Sequence, residues 1–269
     1  CASESASGAA VANNRDGQGA LRQAARALPA QSARLLSASH QHLAIILVGL
    51  SWSAPRKQYF KNAQAAAAAP YSTDYRQSLT NYWRNLQGSF EGWQIDHFIV
   101  SNPSPVSAQL MEDYMPRAAL FLNSSDDVPW RSKQHKLLAG IRLCTEYAQR
   151  GRQQYAQVLI TRFDLLFDQP IFPTLRLNCL NMISHLQRPE LVDDNFYSMP
   201  FTYLRRFASV VRNQTHVLDS HKLFLERFIK QGFELHFMHD EHKPINLLSF
   251  FKINRIGRKP ASEQRQTDH

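Results

Sequence analysis

Cysteine is scarce in this 269-residue chain, which contains only Cys1, Cys144 and Cys179, and these three lie far apart. A disulfide framework or a zinc knuckle needs paired, closely spaced cysteines, so the sequence excludes both. Cys144 falls on the apolar face of a predicted helix. We therefore expect it to be a core residue rather than a nucleophile.

Long hydrophobic runs are also lacking. The longest, residues 43–50, has the length of a strand and falls short of the ~18 apolar residues that span a bilayer. The sequence further lacks the phosphate loop G-x-x-x-x-G-K-[ST], the dinucleotide turn G-x-G-x-x-G, the nucleophile elbow G-x-S-x-G and the zinc helix H-E-x-x-H. These absences exclude four widespread kinds of nucleotide-binding and hydrolytic site.

Acidic residues are outnumbered by basic ones, which gives a formal net charge of +9 and a pI of about 9.6. A basic balance favours an anionic partner, such as nucleic acid, an anionic membrane surface or a phosphorylated small molecule. The charge is scattered, with short clusters at Arg205-Arg206 and within residues 255–259. No RNA-recognition signature, zinc-finger spacing or basic helix is present, so a basic nucleic-acid-binding domain is the second alternative for function.

The two ends of the chain have biased compositions. Residues 1–40 contain no aromatic side chain, and such a segment buries too little surface to offset the entropy of ordering, which predicts disorder. Residues 20–39 are Arg-rich and without acids, so a targeting segment is the alternative. The chain begins with Cys1 rather than Met, and we expect a processed chain or a piece of a longer one. The polar residues 259–269 are predicted to be a disordered tail.

Between these ends, residues 41–258 alternate between strand-like and helix-like patterns. Alternation of this kind predicts one α/β domain, in which a mostly parallel sheet is flanked by helices. The apolar patterns predict strands at residues 43–50, 95–100, 118–122, 158–163, 195–199 and 234–238, and helices at residues 72–87, 106–114, 131–150 and 218–230.

The first candidate site is the segment 155–168, in which an apolar strand runs into Arg162, Phe163 and Asp164. Ligands of open α/β sheets bind beyond the carboxyl ends of strands. Because side chains alternate along a strand, we expect Arg162 and Asp164 to point to one side and Phe163 to the other. Arg162 could donate to phosphate oxygens, and Asp164 could hold a divalent cation that bridges them. The alternative is an Arg–Asp ion pair that closes the strand end.

Two further segments carry groups that could complete a site. Asp193 and Asp194 could orient an acceptor hydroxyl or act as a general base, and the alternative for them is a helix cap or a turn. His239 or Asp240, just after the last predicted strand, could be a metal ligand, and the alternative is a solvated loop. His236 lies on that strand, where we expect it to be packed.

Three pieces of the sequence resemble a diffuse, uncharacterised group of glycosyltransferases of the GT-A-like, nucleotide-diphospho-sugar transferase type. Residues 155–168 resemble its stretch tyrosine–aspartate–x–x–(I/V)–R–x–R–x–D–(L/I), residues 95–100 its earlier strand, and residues 192–196 its later acidic segment. The resemblance implies a nucleotide-sugar-binding, Rossmann-like α/β fold of the GT-A kind.

In such enzymes an Asp-x-Asp motif holds a divalent metal, Mn²⁺ or Mg²⁺, on the diphosphate of the sugar nucleotide. The matching position here reads Arg162-Phe163-Asp164, so only the second acid is kept. The resemblance implies that Asp164 and His239 are the metal ligands if a metal is used. Arg162 could neutralise the diphosphate charge without one.

The resulting hypothesis is a glycosyltransferase that moves a sugar from a nucleotide-sugar donor to a glycan or other acceptor. Arg162 and Asp164 would bind the donor, and Asp193 or Asp194 would be the catalytic group near the acceptor. The missing first acid favours the alternative of a non-catalytic, glycosyltransferase-like binding domain. The compartment stays open among the Golgi or secretory lumen, the cytoplasm and an organelle reached through residues 1–40.

Overall fold

The computed structural model describes residues 41–56, 71–123, 129–183, 191–193, 195–213, 222–238 and 251–253, all within the unit His40–His269. The predictions for residues 1–40 and 259–269 lie outside the described residues. No helix in the described part of the chain combines the length and the hydropathy that a membrane span requires.

A seven-stranded sheet is the largest element of the fold. Its strands are β1 (His42–Gly49), β4 (Gln94–Ser101), β5 (Ala118–Phe121), β6 (Gln157–Arg162), β8 (Leu180–Met182), β10 (Phe196–Pro200) and β12 (Leu235–Phe237). Their order is β12-β8-β10-β6-β1-β4-β5. Within this sheet β10 runs antiparallel to its two neighbours, and the remaining pairs are parallel. The predicted α/β class with a mostly parallel sheet is therefore confirmed.

Two-stranded ribbons accompany the sheet in the described residues. They pair β2 (Trp52–Arg56) with β3 (Tyr71–Asp74), β7 (Leu165–Phe167) with β13 (Phe251–Ile253), and β9 (Leu191–Asp193) with β11 (Lys222–Phe224). All three ribbons are antiparallel. The β7–β13 ribbon brings a segment from near the end of the chain beside the residues that follow Asp164.

Helices cover both faces of the sheet. They are α1 (Arg76–Asn81), α2 (Ser107–Tyr114), α3 (Pro129–Gly151), α4 (Leu204–Arg212) and α5 (Leu225–Lys230). A π-helical turn (Tyr82–Leu86) and a 3-10 turn (Gln87–Ser89) extend α1. Buried side chains of α3, α4 and α5 form one core with one face of the sheet. The α1 region, α2 and β7 contribute to a second core on the other face.

β1 is buried because it lies between two parallel neighbours and beneath both helical layers. Its residues 43–48 are at most 5% exposed. Alternate side chains serve the two cores: Ala44, Ile46 and Val48 belong to the α3 side, and Leu43, Ile45 and Leu47 to the α2 side. A strand buried on both faces needs a continuous apolar run, which is why the sequence predicted it correctly.

α3 packs on the sheet through an apolar stripe that includes Leu137, Ile141, Cys144 and Ala148. Burial raises the pKa of the Cys144 thiol to about 12, which agrees with the predicted core role. Gly140 allows the closest approach, because a Cβ atom there would lie 2.6 Å from Cγ2 of Ile46.

Two predicted helices begin later than the sequence pattern suggested. Tyr71–Asp74 is a strand paired with β2, so the helix predicted at residues 72–87 starts at Arg76. Lys222–Phe224 pairs with β9, so the helix predicted at residues 218–230 starts at Leu225 among the described residues. In both places pairing with a distant strand overrides the local helical pattern.

Candidate functional site

The carboxyl ends of β1 and β6 lie where the strand order reverses. From β1 the sheet extends through β4 to β5 on one side, and α3 then returns the chain to β6 on the other side. Ligands of open α/β sheets bind in the crevice at such a reversal. Arg162 is the last residue of β6, the middle strand of the seven. The strand within the segment 155–168 therefore ends at this reversal.

The alternation along β6 sets the direction of Arg162. Val158 and Ile160 belong to the core on the α3 side of the sheet, and Leu159 and Phe163 to the core on the α2 side. Arg162 continues the first series, so it projects toward the α3 face. Phe163 is buried at 2% exposure, which anchors the turn after β6.

Arg162 and Asp164 form a bidentate ion pair. Nε of Arg162 donates to Oδ1 of Asp164 at 2.7 Å, and Nη2 donates to Oδ2 at 2.6 Å. Nη1 of Arg162 donates to Oδ1 of Asn195, the residue before β10, at 3.1 Å. The Asp164 side chain is 3% exposed, whereas that of Arg162 is 19% exposed. The ion pair that the sequence left open as an alternative is thus present.

In this geometry Arg162 and Asp164 differ in how readily they could bind a ligand. Both carboxylate oxygens of Asp164 accept hydrogen bonds from Arg162, so a cation at Asp164 would compete with a guanidinium already in place. Arg162 is held in one orientation but keeps a solvent-exposed part. A guanidinium fixed in this way loses little rotamer entropy when it binds an oxyanion.

Buried serines close the carboxyl ends of β1 and β4. Gly49 has a φ of +121°, which turns the chain out of β1 in a conformation that favours glycine. The backbone N–H of Ser51 donates to Oγ of Ser101 at 3.2 Å, and the Ser101 hydroxyl donates to Oγ of Ser51 at 3.0 Å. The carbonyl of Ser51 accepts from the N–H of Tyr75 at 2.8 Å. These hydrogen bonds connect the segment after β1 with β4 and with Tyr75.

No family model matches the chain, and no curated protein matches its sequence. Its structure is similar to a provisional nucleotide-diphospho-sugar transferase of Desulfovibrio desulfuricans G20 (12% identity, 73% of this chain, 78% of that chain, TM-score 0.40). It is also similar to a nucleoside-diphosphate-sugar pyrophosphorylase of Vibrio cholerae RC9 (11% identity, 72% of this chain, 90% of that chain, TM-score 0.41). A third similar structure is a nucleotidyl transferase of Methanothermobacter thermautotroptrophicus (12% identity, 85% of this chain, 97% of that chain, TM-score 0.43). The chemistry of this chain has to follow from its own residues.

The two predicted catalytic acids precede Asn195 along the chain. Asp193 ends β9, where its backbone pairs with Lys222 of β11, and Asp194 lies outside the described residues. The residue that follows them, Asn195, accepts a hydrogen bond from Nη1 of Arg162. The role of Asp193 and Asp194 near an acceptor stays a prediction.

The predicted metal ligand His239 also lies outside the described residues. In the part of the chain that is described, no three His, Cys, Asp or Glu side chains lie close enough together to hold a metal ion. His236 is on β12, and its Nε2 donates to the carbonyl of Thr174 at 3.0 Å, as expected of a packed histidine. A divalent metal on Asp164 and His239 stays a prediction.

The sequence singles out neither of two buried polar residues, Asn195 and Lys136. The sequence predicts Asn195 as the first residue of a strand and gives it no role in the site, although it is 4% exposed and contacts Arg162. Lys136 is 5% exposed, and it lies four residues before Gly140 and eight before Cys144 on α3. Helical spacing places these three residues on one face. A lysine among apolar residues at this spacing was the pattern from which its burial could have been predicted.

Two of the sequence pieces that carry the resemblance meet at the opposite, amino edge of the sheet. The Tyr155 hydroxyl donates to Oδ2 of Asp96 at 2.8 Å, and Nε of Arg117 donates to Oδ1 at 2.7 Å. Burial, and then the Asp96 carboxylate, raise the pKa of Tyr155. The tyrosine of the resembling stretch therefore has a structural contact here, at the end of β6 opposite to Arg162.

Proposed function

We propose that this chain is a transferase that binds a nucleotide-sugar at the carboxyl ends of β1 and β6 and moves the sugar to an acceptor. The observation that carries the proposal is Arg162, an arginine held by Asp164 and Asn195 at the strand reversal. Oxyanions are the ligands that such a fixed guanidinium recognises best. The resemblance of residues 155–168 to nucleotide-sugar transferases supports the same ligand class.

Arg162 would act on the charge that develops on the leaving group. Transfer breaks the bond between the anomeric carbon of the sugar and a diphosphate oxygen, and the electron pair stays on the diphosphate. A cation already in place stabilises that charge without reorganisation. The acceptor oxygen bonds to the anomeric carbon and gives its proton to a base, for which Asp193 or Asp194 is proposed. Asp164 is a positioning residue that holds the guanidinium.

A divalent metal would add positive charge at the same diphosphate, with Asp164 and His239 as its proposed ligands. The pairing of both Asp164 oxygens with Arg162 favours binding that does not need the metal. We therefore propose that Arg162 is the main cation for the diphosphate. Mn²⁺ or Mg²⁺ would then strengthen binding but would not be required for it.

The test is the melting temperature of the full chain with a panel of nucleoside diphosphates, each with and without Mn²⁺. A bound nucleotide in large excess stabilises by about 2–4 kcal/mol, which is about 4–16 °C for a domain of this size. We expect one nucleotide to shift the melting temperature without metal. The shift should shrink in Arg162→Lys, which keeps the charge but loses the planar fork.

Arg142→Ala is the matched control, because Arg142 is an exposed arginine of α3 paired with Glu146. It should keep the full nucleotide shift. A shift that needs Mn²⁺ would make the metal the main cation. No shift with any nucleotide would refute the proposed donor site.

The same ion pair also favours a second function, a domain that binds a nucleotide-sugar without transfer. Asp164 is fully paired, as expected of a motif that no longer holds a metal. The two functions differ in whether purified protein releases nucleoside diphosphate from a nucleotide-sugar. Binding without release would favour the non-catalytic domain. The nucleic-acid alternative instead predicts binding that falls steeply with salt, which a gel-shift titration tests.

A further inference from the structure

Three buried side chains on the α2 side of the sheet carry polar atoms that contact no hydrogen-bond partner among the described residues. They are the hydroxyls of Tyr82 and Tyr114 and Nε2 of His97. Tyr82 is 4% exposed, Tyr114 is 1% exposed and His97 is 6% exposed. Buried polar atoms of folded proteins are almost always hydrogen-bonded, so each of these three atoms calls for a partner.

The rings of these three residues contact one another. The ring centroids of Tyr82 and Tyr114 are 5.0 Å apart, and the His97 centroid lies 6.0 Å from each of them. Tyr82 begins the π-helical turn that extends α1, Tyr114 ends α2 and His97 lies on β4. Trp83 contacts all three rings, at centroid distances of 5.4–6.0 Å. Side chains from three elements therefore form one buried group, which we call the tyrosine–histidine cluster.

The cluster offers neutral groups to a ligand. Burial raises the pKa of Tyr82, and the neighbouring Tyr114 raises it further. Burial likewise raises the pKa of Tyr114 and lowers that of His97 to about 4. A neutral phenol can donate and accept a hydrogen bond, and Nε2 of a neutral imidazole does one or the other according to its tautomer. Such groups suit a neutral polar molecule better than an ion.

The spacing of the rings limits the size of that molecule. Centroid distances of about 5–6 Å are ordinary contact distances between aromatic rings. Rings that contact one another leave no room between them for an organic molecule. A buried water needs little room and typically makes about three hydrogen bonds to polar groups that lack other partners.

The backbone of the α1 region becomes irregular at the same place. The N–H of Tyr82 donates to the carbonyls of both Leu79 and Ser78, and the π-helical turn begins at Tyr82. Ser78, one turn earlier, is fully buried, and its hydroxyl also contacts no partner in the described part of the chain. Single π-helical turns are rare and often accompany functional sites. The irregular turn is thus a second feature that points to a ligand beside Tyr82.

We infer that Tyr82, His97 and Tyr114 bind one internal water molecule, which connects the extension of α1 with α2 and β4. The water hydrogen-bonds to the two hydroxyls and to Nε2 of His97. The cluster lies on the α2 side of the sheet, whereas Arg162 projects toward the α3 face. The inference therefore does not depend on the proposed function.

The experiment measures the oxygen-17 magnetic relaxation dispersion of water in solutions of the full chain, which detects waters that stay buried longer than the protein takes to tumble. The wild type is compared with Tyr82→Phe/Tyr114→Phe, which keeps both rings and loses both hydroxyls. A buried water needs about two to four polar partners, so this variant should release it. We expect the dispersion amplitude to fall by the share of one water. The control Tyr147→Phe, at a half-buried tyrosine of α3, should keep the wild-type amplitude.

The melting temperatures of the single variants give a second readout. A hydroxyl that binds the water stabilises the fold, so Tyr82→Phe and Tyr114→Phe should each melt about 2–4 °C below the wild type. A buried hydroxyl with no partner at all has the opposite effect, because its removal relieves an unpaired polar group and raises the melting temperature. Since both hydroxyls share one water, the loss in the double variant should be smaller than the sum of the single losses.

Either readout can overturn the inference. An unchanged dispersion amplitude in the double variant overturns it, and so does a higher melting temperature in both single variants. If the double variant does not fold, Tyr82→Phe and Tyr114→Phe replace it in the relaxation measurement, and an unchanged amplitude in both of them overturns the water site. Neither measurement involves a nucleotide, so a failure of the proposed donor site would leave this result unaffected.

Discussion

Arg162 gains its fixed orientation at a cost, because it is held by a carboxylate that is almost completely buried. A buried ion pair rarely adds net stability compared with apolar side chains, but breaking one leaves an uncompensated charge. Asp164 is therefore the more vulnerable partner. The pair stabilises an orientation for binding more than it stabilises the fold.

We expect Arg162→Met to lower the free energy of unfolding by about 3–5 kcal/mol, because Asp164 then keeps a buried charge without its guanidinium. The double variant Arg162→Met/Asp164→Asn should recover most of this loss. Urea unfolding of the single and double variants measures both values.

The control is Arg76→Met, which removes a pair with Asp74 in which the arginine side chain is 53% exposed. Exposed pairs contribute about 0–1 kcal/mol, so this variant should be nearly neutral. Similar losses for the Arg76 and Arg162 variants would contradict a special cost of the buried pair.

His97 is a second residue whose environment should affect the stability of the protein, here through its pH dependence. It lies in the middle of β4, and its ring contacts those of Tyr82, Trp83 and Tyr114 at centroid distances of 5.9–6.0 Å. Burial lowers the pKa of His97 to about 4, against a smaller opposing effect of the Asp96 carboxylate. The folded protein therefore holds a neutral imidazole over most of the acidic range.

The sign of the pH effect follows from the proton balance. Between pH 4 and about 6.5 the unfolded chain binds a proton at His97 that the folded chain does not. Stability should therefore fall as pH drops through this window, by about 3 kcal/mol from this group, and no further below it. His97→Gln should lose this part of the slope in urea unfolding at several pH values. An unchanged slope would contradict the neutral, buried state.

At the scale of elements, α3 shows how packing can reverse an intrinsic preference. Alanine stabilises a helix interior by about 1 kcal/mol relative to glycine. At Gly140, however, the added methyl would lie 2.6 Å from Cγ2 of Ile46, a stiff β-branched side chain on a fully buried strand. The helix cannot move away without opening the core on that face.

We expect Gly140→Ala to destabilise the protein by about 1–2 kcal/mol, because overpacking of a tight core exceeds the helical gain. Gly151→Ala at the end of the same helix is the control, since nothing lies within 4 Å of its Cβ position. It should be neutral or slightly stabilising in the same thermal unfolding measurement. A more stable Gly140→Ala would mean that α3 can shift over the sheet.

At the scale of the whole molecule, one sheet connects both cores. β1, β4 and β6 each contribute side chains to the core on the α3 side and to the core on the α2 side. Loss of either helical layer would therefore expose apolar residues of the central strands. The unit His40–His269 should behave as one cooperative structure.

We expect the thermal transitions followed by tryptophan fluorescence and by far-ultraviolet circular dichroism to coincide, as in two-state unfolding. Trp83 and Trp93, two of the four tryptophans, pack against the core on the α2 side. The circular dichroism signal includes α3, the longest described helix, on the other side. Two separated transitions would show that the faces unfold independently.

Much of the central architecture could be predicted from local sequence, for a physical reason. A strand buried on both faces needs a continuous apolar run, and a helix on a sheet needs an apolar stripe, so residues 43–50 and 131–150 carried their own signals. No local apolar pattern predicted the short strands β8, β9 and β11. Strands of three residues exist because a partner elsewhere in the chain pairs with them, and no local pattern records the partner.

The candidate site also has a part that local sequence predicts and a part that it does not. The chemistry of Arg162 and Asp164, and their place after a buried strand, were determined by the sequence, because strand pattern and residue type are local properties. Only the tertiary structure decided that these two side chains pair with each other and that Asn195 joins them. Asn195 lies 33 residues from Arg162 along the chain, and its contact depends on strand order, which short-range patterns do not encode.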